Sequence, residues 1–402
     1  MSKRFTSAGA LAGALLVASA VWSAGCGAPE RDPGRRDAPR ATRPARPAPV
    51  VPSGRELPGT AHLVGFAADG SGFALLATCA QDAQRPENGF CRQYVAVLDK
   101  GASRWELRPS PLRDPSGTDG VSADMRVLGS GRAWLHEGME DDRHRSWFTA
   151  DGGRSWQARD VRRAGSVRSI PPGAALSTLC GYPAAPDGHR CARDRLLVLS
   201  PDDGRLRALR TRPPLTGRLE PAPYAEPDGS WWVSGRDPAS GGPAVAVSRD
   251  AGRTWTASRL DRPFGKPGGG VRVSVGDGVV YAAETGELPS GEPVKNPLRA
   301  VHRSRDGGRT WERTWTTRAR GEPRSLLGVL IPGAGDALGL YTERGHCTSA
   351  DGGRSFTRTA GPAFGFASTA APGRLVSEGG CGFSVSADGV RWTSFTVGGC
   401  ED

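Results

Sequence analysis

One eight-residue pattern occurs four times and constrains this chain more than any other feature. Thr149–Trp156 reads TADGGRSW, Ser248–Trp255 reads SRDAGRTW, Ser304–Trp311 reads SRDGGRTW and Ser349–Phe356 reads SADGGRSF. Each copy keeps a hydroxyl residue, an aspartate two positions on (Asp151, Asp250, Asp306, Asp351), a glycine, a second hydroxyl residue and a closing aromatic. Three weaker copies extend the series. Ser386 and Asp388 lead to Trp392 one residue early, Asp99 leads to Trp105 one residue late, and Ser200–Gly204 lacks the aromatic. The aspartates then stand at 99, 151, 202, 250, 306, 351 and 388. Their steps lie between 37 and 56 residues, the period of a repeat whose unit is one small sheet. Seven such units fill residues 61–402, and a unit this long suits one four-stranded propeller blade.

The pattern has a local physical reading. An aspartate carboxylate accepts backbone N–H groups of its own turn. The glycine supplies a backbone conformation closed to other residues. The hydroxyls tie the ends together, and Trp156, Trp255, Trp311, Phe356 or Trp392 packs back over the turn. The four close copies resemble the Asp-box, or BNR repeat, of sialidase-type β-propellers. That resemblance implies an all-β fold in which each box joins the third and fourth strands of a blade, and its residues are read as structural. The expected architecture is seven blades, with six as the alternative. Second strands are expected at 131–135, 229–233, 278–282 and 373–377, and inner strands at 61–67, 271–275 and 326–331. No segment after residue 25 has the periodicity of an amphipathic helix.

The N-terminal residues have a different character. Lys3 and Arg4 precede an apolar run from Ala8 to Val21, then Ser23-Ala24-Gly25 and Cys26. This resembles a bacterial lipoprotein signal, in which the cysteine is lipidated and becomes the mature N-terminus. Ser23 stands where leucine is usual, which leaves simple secretion and a retained anchor as alternatives. Residues 26–60 are rich in Pro and Arg, and such a stretch reads as a disordered tether. The expected domains are therefore a signal peptide at 1–25, a tether at 26–60 and a propeller at 61–402. The chain is expected outside the cytoplasm, membrane-anchored through Cys26 or secreted, as a monomer.

Eight cysteines fit that compartment. Cys79/Cys91 and Cys180/Cys191 occupy similar places in two units and read as hairpin disulfides, and Cys381/Cys400 as a bridge across the last hairpin. Cys347 is left over. Neither CxxC pairs nor histidines at metal spacing occur, so no metal and no cofactor is expected. The net charge of +11 comes from 53 basic and 42 acidic residues. Nearly all of the basic ones are Arg, in a chain rich in Ala, Gly and Pro, and acids alternate with them, as in Glu140–Arg145. A nucleic-acid binder needs a basic stripe with interleaved aromatics, so no nucleic-acid partner is expected.

Topology puts function on the face opposite the repeat turns, where the insertions at 80–90, 137–145, 181–190, 236–243 and 285–297 gather. The family resemblance implies, for an enzyme, a Tyr nucleophile with a Glu base, an Asp acid and three Arg on the substrate carboxylate. The sialidase Phe/Tyr-Arg-Ile-Pro signature is absent. Five Tyr occur, and the Tyr/Glu neighbours are Tyr281 with Glu284 and Tyr341 with Glu343. No G-x-S-x-G elbow is present. Trp231-Trp232 reads either as a sugar-stacking platform or, by strand alternation, as packing on both sides of a blade. The function expected is a non-catalytic module that binds an envelope protein or glycan on the loop face, with an exo-α-sialidase-type hydrolase as the alternative.

Overall fold

The computed structural model describes residues 49–80, 82–117, 121, 123–137, 145–160, 162–178, 195–260, 269–288, 290–291, 293–317, 321–359, 365–371 and 373–400. All belong to the second of two units, Arg43–Asp402. Their strands form seven four-stranded sheets, the blades of a β-propeller. Blade 1 comprises Thr60–Phe66, Gly72–Ala80, Phe90–Leu98 and Glu106–Arg108. Blade 2 comprises Ala123–Gly129, Arg132–Glu137, Arg145–Thr149 and Gln157–Arg159. Blade 3 is, from the axis outward, Ala175–Thr178, Leu196–Leu199, Leu206–Leu209 and Ser166–Val167. Blade 4 is Thr216–Pro221, Trp231–Arg236, Pro243–Ser248 and Thr256–Arg259. Blade 5 is Val271–Val275, Val280–Thr285, Leu298–Ser304 and Glu312–Thr316. Blade 6 is Ile331–Pro332, Leu338–Thr342, Gly345–Ser349 and Thr357–Arg358. Blade 7 is Phe366–Ala370, Gly373–Ser377, Gly382–Ser386 and Thr393–Thr396.

The core is divided among the seams. Middle strands such as Val245–Val247 and Leu197–Leu199 are apolar on both faces, because both faces of a blade are covered by neighbours. Trp231 enters the cluster between blades 3 and 4, and Trp232 the cluster between blades 4 and 5, one on each side as strand alternation requires. The seam that closes the ring holds Phe66, Leu76 and Trp105 of blade 1 against Leu375, Phe383 and Phe395 of blade 7. Each such side chain contributes about 1.5–3 kcal/mol when fully buried, so the seams carry most of the stability.

The repeated turns are built alike. In blade 2 the Thr149 hydroxyl donates to Asp151 Oδ1 at 2.8 Å and accepts from Gly153 N at 2.9 Å. Asp151 also accepts Ser155 N at 3.0 Å and the Ser155 hydroxyl at 2.6 Å. The same four bonds recur around Asp250, Asp306 and Asp351. The aromatics reach further than their own turn. Trp156 meets Phe73 of blade 1, Trp311 meets Trp232 of blade 4 and Phe356 meets Trp315 of blade 5, each edge-on at about 6 Å. Each one staples its blade to the preceding one.

Blade 3 breaks the pattern. Its turn at 200–204 joins the second and third strands of the sheet instead of the third and fourth, and Ser166–Val167 adds a parallel outer strand. The turn's arginine partner is Asp203, which accepts both Arg207 nitrogens at 2.8 and 2.6 Å, whereas the Asp202 side chain is largely exposed. The expected inner strand at 326–331 is also shorter, with only Ile331–Pro332 paired in blade 6. The propeller begins before residue 61. Val51 and Leu57 are buried in the closing seam, Trp105 Nε1 donates to the Pro52 carbonyl at 2.8 Å, and Gly54 bridges Val397 in parallel. Apolar residues on either side of Pro52 and Gly54 anchor a stretch whose composition alone reads as tether.

Candidate functional site

The innermost strands surround an axial space that is blocked at one end. Because blade 3 is displaced outward by one strand, the segment following blade 4's inner strand occupies the vacated place. The Pro223 carbonyl accepts Leu176 N of blade 3 at 2.8 Å, and the Tyr224 hydroxyl accepts Val127 N of blade 2 at 3.0 Å. Burial pushes the Tyr224 phenol up to about 12, so this hydroxyl stays neutral. Two residues on, the Glu226 carboxylate accepts Arg374 Nη2 of blade 7 at 2.5 Å and Val275 N of blade 5 at 2.9 Å. Both side chains are almost fully buried. One short segment thus ties blade 4 to blades 2, 3, 5 and 7. Glu226, Val275 and Arg374 all stand beside turns between first and second strands, so this plug closes the end nearest the repeat turns.

Above the plug lies a cavity of about 200 Å³ beside the junction of blades 4 and 5. Its apolar wall is Pro221, Ala222, Pro223, Val273 and Val329, and its ionisable groups are Glu220 and Arg272. Ser234 and Thr369 add hydroxyls. Arg272 is held by one bond, from Nη1 to the Gly328 carbonyl at 2.6 Å. Burial lowers its pKa and the charge of Glu220 opposes that shift, so the guanidinium depends partly on this carboxylate. Glu220 has one weak ion pair, with Arg218 at 3.8 Å. Its carboxylate lies against Gly270, where a Cβ would stand 1.5 Å from Oε2.

The Tyr/Glu neighbours lie elsewhere. Tyr281 is fully buried in the seam between blades 5 and 6, where its hydroxyl has no hydrogen-bond partner among the described residues. Glu284, three residues on, points the other way, toward blade 4, opposite Val271 on the neighbouring strand. It lies 3.7 Å from Arg299 Nε and 3.4 Å from His302 Nε2, all three buried. Tyr341 packs between blades 6 and 7 against His346, with ring centroids 4.7 Å apart, and burial raises its pKa. Glu343 is half-exposed in the following turn, accepting Asn296 Nδ2 at 3.3 Å. None of the four lines the cavity.

Cys79–Cys91 and Cys381–Cys400 are disulfide-bonded. Both bridges lie at the end of the blades opposite the repeat turns. Cys347 is free and buried, its thiol pushed up to about 11 by burial. Cys26, Cys180, Cys191 and Tyr182 lie outside the described residues, as do most of the insertions at 137–145 and 181–190. Sequence reasoning missed Glu220, Glu226, Arg272 and Arg374. The available signal was Tyr224 within the PAPYAEPDG run, an aromatic and an acid among turn residues.

Among solved structures, the chain resembles YCF48 from Cyanidioschyzon merolae at 16% identity and TM-score 0.36, covering 68% of this chain and 84% of that one. An ulvan lyase bound to a glucuronate–rhamnose sulfate ligand gives 13% identity and TM-score 0.41, over 87% and 94%. The NanB sialidase of Streptococcus pneumoniae gives 11% and 0.36, over 85% and 67%. No family model matches the chain, and no curated protein does.

Proposed function

We propose that this chain is a non-catalytic binding propeller, and that its repeat turns are Asp-boxes with a structural role. It engages an envelope protein or glycan from the end opposite those turns. The observation that carries this reading is the composition of the cavity. Among the described residues one arginine and one glutamate line it, without a tyrosine, where sialidase chemistry needs three arginines and a tyrosine nucleophile. Four of the five tyrosines are described, and Tyr224, Tyr281 and Tyr341 are committed to the plug or to seams. Two disulfides fit an oxidising extracellular environment, and among the described residues no helix is long and apolar enough to cross a membrane. Lipidation at Cys26, a Cys180–Cys191 bridge and a monomeric state complete the proposal.

The test is turnover of fluorogenic sialosides and neutral aryl glycosides by the purified chain from pH 4 to 8, with Tyr281→Phe and Tyr341→Phe alongside. The expected result is no turnover by any of the three. Turnover abolished by one substitution would make the chain a hydrolase and overturn the reading.

A further inference from the structure

We infer that the axial cavity takes a single neutral hexopyranose, the non-reducing end of a glycan, and discriminates against acidic sugars. This rests on the binding reading above and specifies its ligand. Size limits the occupant. About 200 Å³ is below the roughly 300–1,000 Å³ of a site for a drug-sized ligand, and suits one sugar ring. Charge limits it further. Of the ions that line the cavity, Glu220 and Arg272 cancel, and Arg218 beside Glu220 is largely exposed to solvent, so a neutral ligand enters without leaving either lining ion unbalanced. A carboxylated sugar would bring a second negative charge up to Glu220 in a partly desolvated space.

Polarity then selects hydroxyls. With Nη1 on the Gly328 carbonyl, the other Arg272 nitrogens have no partner among the described residues and offer donors. The Glu220 oxygens are acceptors, in space left open by the absence of a side chain at Gly270. A ring bearing neighbouring hydroxyls donates to one and accepts from the other. Its C–H face lies on Pro221, Pro223 and Val329. The plug bars the other end of the axis, so the sugar enters from the end that carries the disulfides.

The experiment is an NMR titration of the purified chain with methyl glucoside, methyl galactoside and methyl mannoside, with glucuronic and N-acetylneuraminic acids as comparators. A soluble polysaccharide ending in the best hexose separates a glycan terminus from a free sugar. A ligand of about twelve heavy atoms is expected to bind at about 1 mM. Glu220→Gln and Arg272→Met are each expected to weaken the hexose about tenfold or more. Glu220→Gln should also raise the affinity for the acids. Thermal midpoints equal to the parent's show that each variant is folded, and Gly270→Ala provides a second perturbation of Glu220. Acidic sugars binding as well as hexoses, or hexose binding unchanged in all three variants, would overturn the inference. Absence of all sugar binding would overturn it too, while leaving a protein-binding propeller standing. Glycoside turnover would instead strike the reading beneath it.

Discussion

Asp151 and Asp250 each accept three hydrogen bonds from their own turns, and this sets how the molecule responds to acid. The Ser155 hydroxyl foremost, and in the other turn the Thr254 hydroxyl, hold these carboxyls down at about 2. Asp306 and Asp351 lie below the usual carboxylate range for the same reason. A carboxyl depressed in the folded state binds protons less readily than in the unfolded chain. Its stabilisation is therefore present above about pH 4 and is lost as pH falls toward 2. Urea midpoints should be flat near neutrality and fall over that window, and Asp151→Asn should flatten the fall while lowering the neutral value. The Glu226–Arg374 pair behaves differently because it is buried. Arg374→Met strands a carboxylate at the axis and is expected to cost about 3–5 kcal/mol, whereas the double change Glu226→Leu with Arg374→Met should recover much of that in urea unfolding.

At the scale of the turn and strand, the two glycines of one repeat differ. Gly308 has φ +87°, and a Cβ there would stand 2.4 Å from the Trp232 ring of the preceding blade. Gly307 has φ +74°, and its Cβ would meet only the movable tip of Arg249 at 2.9 Å. Gly308→Ala should therefore cost about 2 kcal/mol and Gly307→Ala about 1 kcal/mol, read from urea midpoints. What was legible in the sequence follows the same division. The turns were readable because their bonds join residues two to four apart, and seven of them fix the blade count. Cys79–Cys91 was readable because hairpin partners are near in sequence. The plug was not, since Glu226 and Arg374 are 148 residues apart. Blade 3 was misleading because its turn keeps the motif while the sheet shifts around it. Tyr281 and Glu284 look like partners along the chain, but an odd separation on a strand sends them to opposite seams.

At the scale of the molecule, the ring closes through residues that composition assigns to a tether. A chain starting at residue 61 lacks Val51 and Leu57 in the closing seam and Pro52 under Trp105. It should be about 3–6 kcal/mol less stable than one starting at residue 49, with both melting in single transitions. Two stable proteolytic fragments split near residue 220 would contradict that cooperativity. The course of this segment also has a mechanical meaning. It passes Trp105 beside blade 1's turn, bridges Val397 in parallel, and reaches Gly59, whose carbonyl accepts Gly399 N. It thus climbs from the turn end of the ring to the disulfide end before the first strand begins. A pull on residue 49 away from the turn end runs along this segment, so its bonds to blade 7 share the load in shear. The same pull from the other end would peel them one at a time. A propeller held by its N-terminus therefore resists tension best with its open mouth turned away from the point of attachment.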